Sequence, residues 1–280
     1  MWDLLKGKKD EQDSKKEEEK RVSEIRKMTD EAFERFKKDF GKDLQKLGLQ
    51  EPIVTLTGYP DLLTPCLIIA RFSDREAKPV TLIQTLQLYT GSPPGGPAWG
   101  TMRKIYFSVA IWFSTVQGAI PFTLVYREIS KGLLKGSQKL FVPFTNTTLG
   151  ELKITDPSLM QLPLVADLNK NTEYFDIIHS NLLTSTSVHL THKATLSIGY
   201  NDLGGRCTII PIGEETAIFF RDTKGDLGTY FNTEKILYAL SGIRRCISNH
   251  VTSEKVSGNV PSPVFNLLYS LAKGESIKQP

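Results

Sequence analysis

Apolar side chains recur from Val22 at spacings of three to five: Val22, Ile25, Met28, Phe33, Phe36, Phe40, Leu44 and Leu47. That rhythm lines one face of a helix. Gly41 weakens the helix, and Gly48 offers a C-terminal cap. The heptad lasts barely three turns of pattern, which favours a helix packed on its own domain over a self-association coil. Residues 1–21 hold almost no core-forming side chains, so they are expected to be disordered or a loose, solvated helix.

Beyond Pro52 the pattern becomes mixed. Ile53–Thr57 and Cys66–Phe72 read as strands, rich in branched residues and bounded by Gly58, Pro60 and Pro65. Pro79 opens "PVTLIQTLQLYT", where Leu82, Ile83, Leu86 and Tyr89 share one helical face, so a helix is expected. "GSPPGGPAWG" is crowded with Gly and Pro and reads as an exposed loop. Met102–Val116 fits a buried helix or a strand. Ala119–Ile129 and Gln138–Phe144 are better strands. In "SVHLTHKATLSIGY" Val188, Leu190, Ala194, Leu196, Ile198 and Tyr200 alternate with polar residues, which predicts one long half-buried strand. "NDLGG" then turns the chain, Arg206–Ile212 is expected to pair back as a hairpin, and Thr216–Arg221 adds a strand. "TEKILYALSGIRRCI" and "SPVFNLLYSLAK" read as closing helices. The expected fold is α+β: an antiparallel β-sheet core with flanking helices and an N-terminal charged helical arm. The arm spans 1–50 and a single α+β domain spans 51–280.

Charge sharpens that division. Between Met1 and Leu47 lie 14 Lys+Arg and 13 Asp+Glu, a density found nowhere else in the chain. The net charge of +4 suits an anionic partner without demanding one. Cys66, Cys207 and Cys246 are scattered and form no CxxC pair, which speaks against a disulfide framework or structural zinc and for a reducing compartment. No apolar run approaches the roughly 20 residues that span a bilayer, and the apolar tip is too short for a secretory signal. The chain is therefore expected to stay on the side of the membrane where it is made, with the Asn146 sequon unused.

Catalytic chemistry is not legible. No nucleophile elbow, phosphate-cradling glycine loop or HExxH occurs, so the chain is not expected to be an enzyme, and no catalytic residue, metal site or cofactor is assigned. His189 and His192 stand three apart in the expected strand, facing opposite sides, and His192 reads as a buried, hydrogen-bonded side chain. Interaction features are better represented. Lys131, Lys135 and Lys139, with Arg103, Lys104, Arg244 and Arg245, are candidates for a phosphate-binding surface; ordinary solubilising charge explains them equally well. Trp2, Leu4 and Leu5 beside Lys6, Lys8 and Lys9 form a minimal interfacial anchor. Three lysines less Asp3 supply about 2 kcal/mol at an acidic membrane, so one copy binds weakly and an array binds through avidity.

The order of these elements resembles the matrix proteins of rhabdoviruses. The likeness runs over the apolar-basic tip, the strand "CLIIARF", a helix ending in "LQLYTG", the hydrophobic "RKIYFSVAIWF" and the hairpin strand "KATLSIGY". It implies a viral structural protein that self-assembles as a homo-oligomer and binds the viral nucleocapsid RNA. It also implies contact with the inner face of an acidic membrane, support of virion assembly and budding, and unknown host factors. The implied locations are the virion and the host-cell cytoplasm at the membrane periphery, with the nucleus as a further site. A PPxY budding motif is missing: "SPPG" has no Tyr. A second likeness competes. "YFSVAIWFSTVQGAIPFTLVYREI" followed by "KLFVPF" is similar to the paired strands of plant-virus movement proteins of the thirty-kilodalton kind. Those proteins bind nucleic acid and act at plasmodesmata. They usually carry an Asp late in the second strand, where this chain has Tyr126.

Overall fold

The computed structural model describes residues 2–60, 65–91, 102–130, 137–144, 157–170, 186–191, 194–198, 207–222, 233–252 and 263–275. Its elements are α1 (Trp2–Lys46), β1 (Ile53–Leu56), β2 (Cys66–Ser73), β3 (Pro79–Gly91), β4 (Met102–Gln117), β5 (Thr123–Ser130) and β6 (Ser137–Phe144). A 3-10 turn (Pro157–Gln161) leads into α2 (Pro163–Lys170), followed by β7 (Thr186–Thr191), β8 (Ala194–Ile198), β9 (Cys207–Ile212), β10 (Glu215–Asp222), α3 (Thr233–Ser248) and α4 (Pro263–Lys273). Eight strands form one antiparallel sheet in the order β1-β2-β3-β4-β10-β9-β5-β6, and β7 pairs with β8 separately. The fold is α+β.

Both faces of the sheet are covered. On one side α1 and α3 close a core around Trp112, with Phe40 set 5.9 Å from the Trp112 ring and 5.6 Å from Phe72. On the other, Phe265, Leu268 and Leu271 of α4 pack on Ile69, Ile83, Ile111 and Phe219. Arg71 and Thr81 hold the far end of α4. The Arg71 guanidinium donates to the carbonyls of Leu271 (2.6 Å) and Ala272 (3.2 Å), and the Thr81 hydroxyl donates to Ala272 (3.2 Å). Cations suit the carbonyl end of a helix, where the last C=O groups lack intrahelical partners.

Double coverage explains the largest departure from the sequence reading: the helix expected at Pro79 is strand β3. Val80, Leu82 and Leu86 face one core, Ile83 faces the other, and Thr81, Gln84 and Thr85 are buried between. A strand covered on both faces loses its alternation and can mimic helical spacing. The ambiguous segment 102–116 is strand β4. Its pairing jumps from Gln84↔Ala110 to Leu86↔Phe107, which places one extra residue in β4 opposite Thr85. Odd positions Ile105 and Phe107 therefore share a core with even positions Ala110 and Trp112. Thr85 satisfies the bulge by accepting from Val109 N–H (2.8 Å) and donating to Val109 C=O (3.2 Å).

Other expectations change as well. The single strand read in "SVHLTHKATLSIGY" is two strands, β7 and β8, with Val188 opposite Leu196. From Thr186↔Ile198 to His189↔Thr195 the paired positions have the same parity, so the alternation of one long strand survives the pairing there. β9 pairs with β10 and β5, not with the strand before it. His192, "SPPGGPAWG", Asn146 and "NDLGG" lie outside the described residues.

The N-terminal residues are helical from Trp2, joining the expected amphipathic helix into one 45-residue element. Ile25 is buried, and Ala32, Phe36, Phe40 and Leu44 share one core with the sheet that follows residue 50, so the stripe packs on its own domain. The helix stops in a Schellman arrangement: Leu49 N–H returns to Leu44 C=O and Gly48 N–H to Gln45 C=O, both at 3.0 Å. Upstream of this packed half, residues 14–20 are exposed at every position.

Candidate functional site

Trp2, Leu4, Leu5, Lys6, Lys8 and Lys9 occupy the first turns of α1, the end farthest from the packed half. At 1.5 Å rise per residue, Lys6 to Arg21 spans about 24 Å of helix axis. Seven successive exposed residues make nearly two full turns, so every side of the helix at 14–20 is exposed. Further along α1 its side chains meet other elements. Glu24 takes a 3.2 Å ion pair from Arg103, and the Arg26 guanidinium lies 5.5 Å from the centroid of the Tyr59 ring.

The described candidates for phosphate binding lie on three different elements, β4, β6 and α3. Arg103 is engaged with Glu24, and Lys104 lies half-buried on β4 opposite Tyr89. Lys139 is on β6 in register with Glu128. Lys131 and Lys135 fall outside the described residues. Arg245 is exposed, with its Nε 3.5 Å from Glu76 Oε1 and its terminal nitrogen donating to Ser241 Oγ at 3.2 Å.

Arg244 requires a correction. Its side chain is only 5% exposed and is the cation of an interior charge centre. One terminal nitrogen donates to Asp74 Oδ2 and, at 3.2 Å, to Glu76 Oε2; the other donates to Ser114 Oγ at 3.0 Å. A guanidinium that is buried and already engages two carboxylates is withdrawn from solvent phosphates. Helix periodicity puts Arg244 on the core stripe of α3, where Leu240, Ile243 and Ile247 are all buried.

The acids of this centre come from the β2–β3 turn. Asp74 Oδ1 accepts from the backbone N–H of Glu76 and Lys78, each at 2.9 Å, which closes the turn. Ser241 Oγ donates to Glu76 Oε1 at 2.6 Å, and that bond, followed by the guanidinium of Arg244, holds the Glu76 carboxyl below its ordinary range. Beside the centre lies a cleft of about 440 Å³ whose mouth carries Arg75, Glu234, Lys235, Tyr238 and Arg245. Both signs of charge are interleaved there. The arrangement fastens α3 to the sheet; sequence reading missed it because Asp74 and Arg244 stand 170 residues apart.

A second polar group ties α2 to α3. His250 Nε2 lies 2.9 Å from Asp167 Oδ2, and Lys170 Nζ lies 3.4 Å from Asp167 Oδ1. The His250 hydrogen bond is the main cause of the depressed Asp167 carboxyl. Burial pushes the thiols the other way: Cys66 is raised to about 12 and Cys246 to about 11, with Cys207 raised well above its ordinary value. All three are protonated at neutral pH, the opposite of an activated nucleophile. Among the described residues, no three His, Cys, Asp or Glu side chains are grouped to hold a metal ion, and no helix is long and apolar enough to cross a membrane. No family model, curated protein or solved structure matches this chain.

Proposed function

We propose that this chain is a non-catalytic structural protein of the viral matrix kind, attaching in many copies to an acidic membrane surface through the first turns of α1. The observation that carries the reading is the continuity of α1 from Trp2 together with the exposure of residues 14–20. This geometry sets the apolar-basic tip apart from the folded body, where it is free to enter a lipid interface. The reading rests on that geometry rather than on element order, since "LQLYTG" ends a strand. Each copy contributes about 2 kcal/mol of electrostatic attraction, so useful attachment follows from avidity in an assembled layer. Lys131, Lys135 and Lys139 are its proposed contacts with nucleocapsid RNA.

Flotation of the full chain with phosphatidylserine-containing vesicles tests this. Binding is expected to rise steeply with protein density and to fall with salt. Trp2→Ala, Leu4→Ala and Leu5→Ala combined should abolish it while the melting temperature holds. Undiminished binding by that variant, or none by the parent chain at any density, would sink the reading.

A second reading, a viral movement protein, is favoured by one observation. The three segments that carry that likeness are strands β4, β5 and β6, and β5 pairs with β6 along its whole length. A fluorescent fusion in plant epidermal cells separates the two: paired puncta across walls belong to movement, whereas a matrix protein sediments with enveloped virions.

A further inference from the structure

We infer that residues 6–21 form a single charged helix, a monomeric strut that holds the tip about 24 Å from the sheet domain. Its functional meaning rests on the membrane reading above; its physical content does not. Thirteen of these sixteen residues are charged, and between Leu5 and Val22 there is no large apolar side chain. A coiled coil needs an apolar seam every three to four residues, and this segment has none. A helix with no apolar face must instead draw its stability from side-chain pairs along its own surface. The sequence supplies them in the favourable orientation: Glu11 precedes Lys15, and Glu17 precedes Arg21, each by four. Glu18 and Arg21, three apart, are in contact at 3.1 Å.

The packed half of α1 then acts as a clamp. Ala32, Phe36, Phe40 and Leu44 fix the helix axis on the sheet, so the direction of the strut is set by the body. Helix nucleation is already complete in the packed half, and extension toward the N-terminus adds residues one at a time without a new nucleus. Two consequences distinguish this arrangement from a flexible tether. The tip is presented at a fixed distance, and contacts between copies must come from the folded body rather than from α1.

Spin labels at Lys8→Cys and Lys38→Cys in a Cys246→Ala full chain, measured without lipid, test the inference. Thirty residues of helix place the sites about 45 Å apart, and a single narrow distribution near that distance is expected at low salt. Salt screens surface pairs, so the distribution should broaden in 1 M salt. The chain labelled only at Lys8→Cys should show no coupling between molecules. A broad distribution at low salt, or a short intermolecular distance, overturns the strut; a distribution indifferent to salt overturns its origin in charge pairs. An intact strut on a chain that ignores acidic vesicles would refute the membrane reading alone.

Discussion

Arg244 on α3 donates to the carboxylate of Asp74, the residue that closes the β2–β3 turn, and both side chains are 5% exposed. A buried ion pair is a poor source of net stability, because desolvating two charges offsets their attraction. Breaking one is costly. Arg244→Met leaves Asp74 buried without its cation and should lower unfolding free energy by about 3–5 kcal/mol. Arg245→Ala, one residue along and exposed, should change it by less than about 1 kcal/mol. Urea titration of both variants checks the contrast. Equal midpoints would show that the interior pair is not a clamp.

Stability should also depend on pH through Glu76. Its carboxyl is depressed, first by the hydrogen bond from Ser241 and then by Arg244. A depressed carboxyl binds its proton less readily in the folded chain than in the unfolded one. Its contribution is therefore present above the unfolded value, about 4.3, and is lost as pH falls through the lower folded value. Ser241→Ala removes the leading cause, so urea midpoints measured from pH 6 to pH 3 should fall less steeply in the variant. Parallel profiles would remove Glu76 from the acid response. Asp167, depressed by His250, acts in the same direction.

The strength of the sequence signal differed by element for physical reasons. The stripe from Ile25 to Leu44 was readable because α1 buries one face against the sheet. α3 and α4 were readable for the same reason. β3 was not, since burial on both sides removes the polar alternation that identifies a strand. β4 hid behind the extra residue opposite Thr85, which reverses the parity of its inward positions. The apolar tip was legible as composition, but its separation from the body required α1 to be continuous. The charge centre was invisible because "SDREAK" and "GIRRC" meet only once β2, β3 and α3 are assembled. Arg244, read as a surface cation, is the residue that this assembly buries.

Gly118 marks a second close approach. Its φ is +98°, and a Cβ there would stand 2.8 Å from Val251 Cβ. The neighbouring bridge fixes that distance: Ala119 and Thr252 exchange backbone hydrogen bonds at 3.1 and 3.0 Å, and Thr216 Oγ1 donates to Gly118 C=O at 2.8 Å. Neither strand can retreat without losing them. Gly118→Ala should therefore cost about 2–4 kcal/mol, combining backbone strain with overpacking. Gly213→Ala, also at positive φ but with nothing within 4 Å of its Cβ, should cost only about 1 kcal/mol. Thermal melts of the two variants decide this, and equal losses would mean that contact with Val251 is irrelevant.

At the outer edge of the sheet, Asn169 of α2 covers strand β6. Phe141 N–H donates to Asn169 Oδ1 at 2.7 Å, and Asn169 Nδ2 donates to Phe141 C=O at 3.1 Å. One side-chain amide thus fills the pairing groups that edge strand β6 turns outward at this position. Pro143, two residues on, directs its missing N–H to the same side, so the edge offers one donor fewer to another chain. At the opposite edge β1 has four residues flanked by Pro52 and Pro60. Short strands, prolines and covering elements are the usual means of preventing edge-to-edge pairing. Asn169→Ala removes the cover and leaves two backbone groups to find other partners, at a cost of about 1–3 kcal/mol. Association that increases with concentration should accompany that loss, measured by sedimentation velocity on the folded variant. Asn169→Asp retains the acceptor for Phe141 N–H and should fall between the two. A folded Asn169→Ala chain that sediments like the parent at every concentration would show that α2 does not guard this edge.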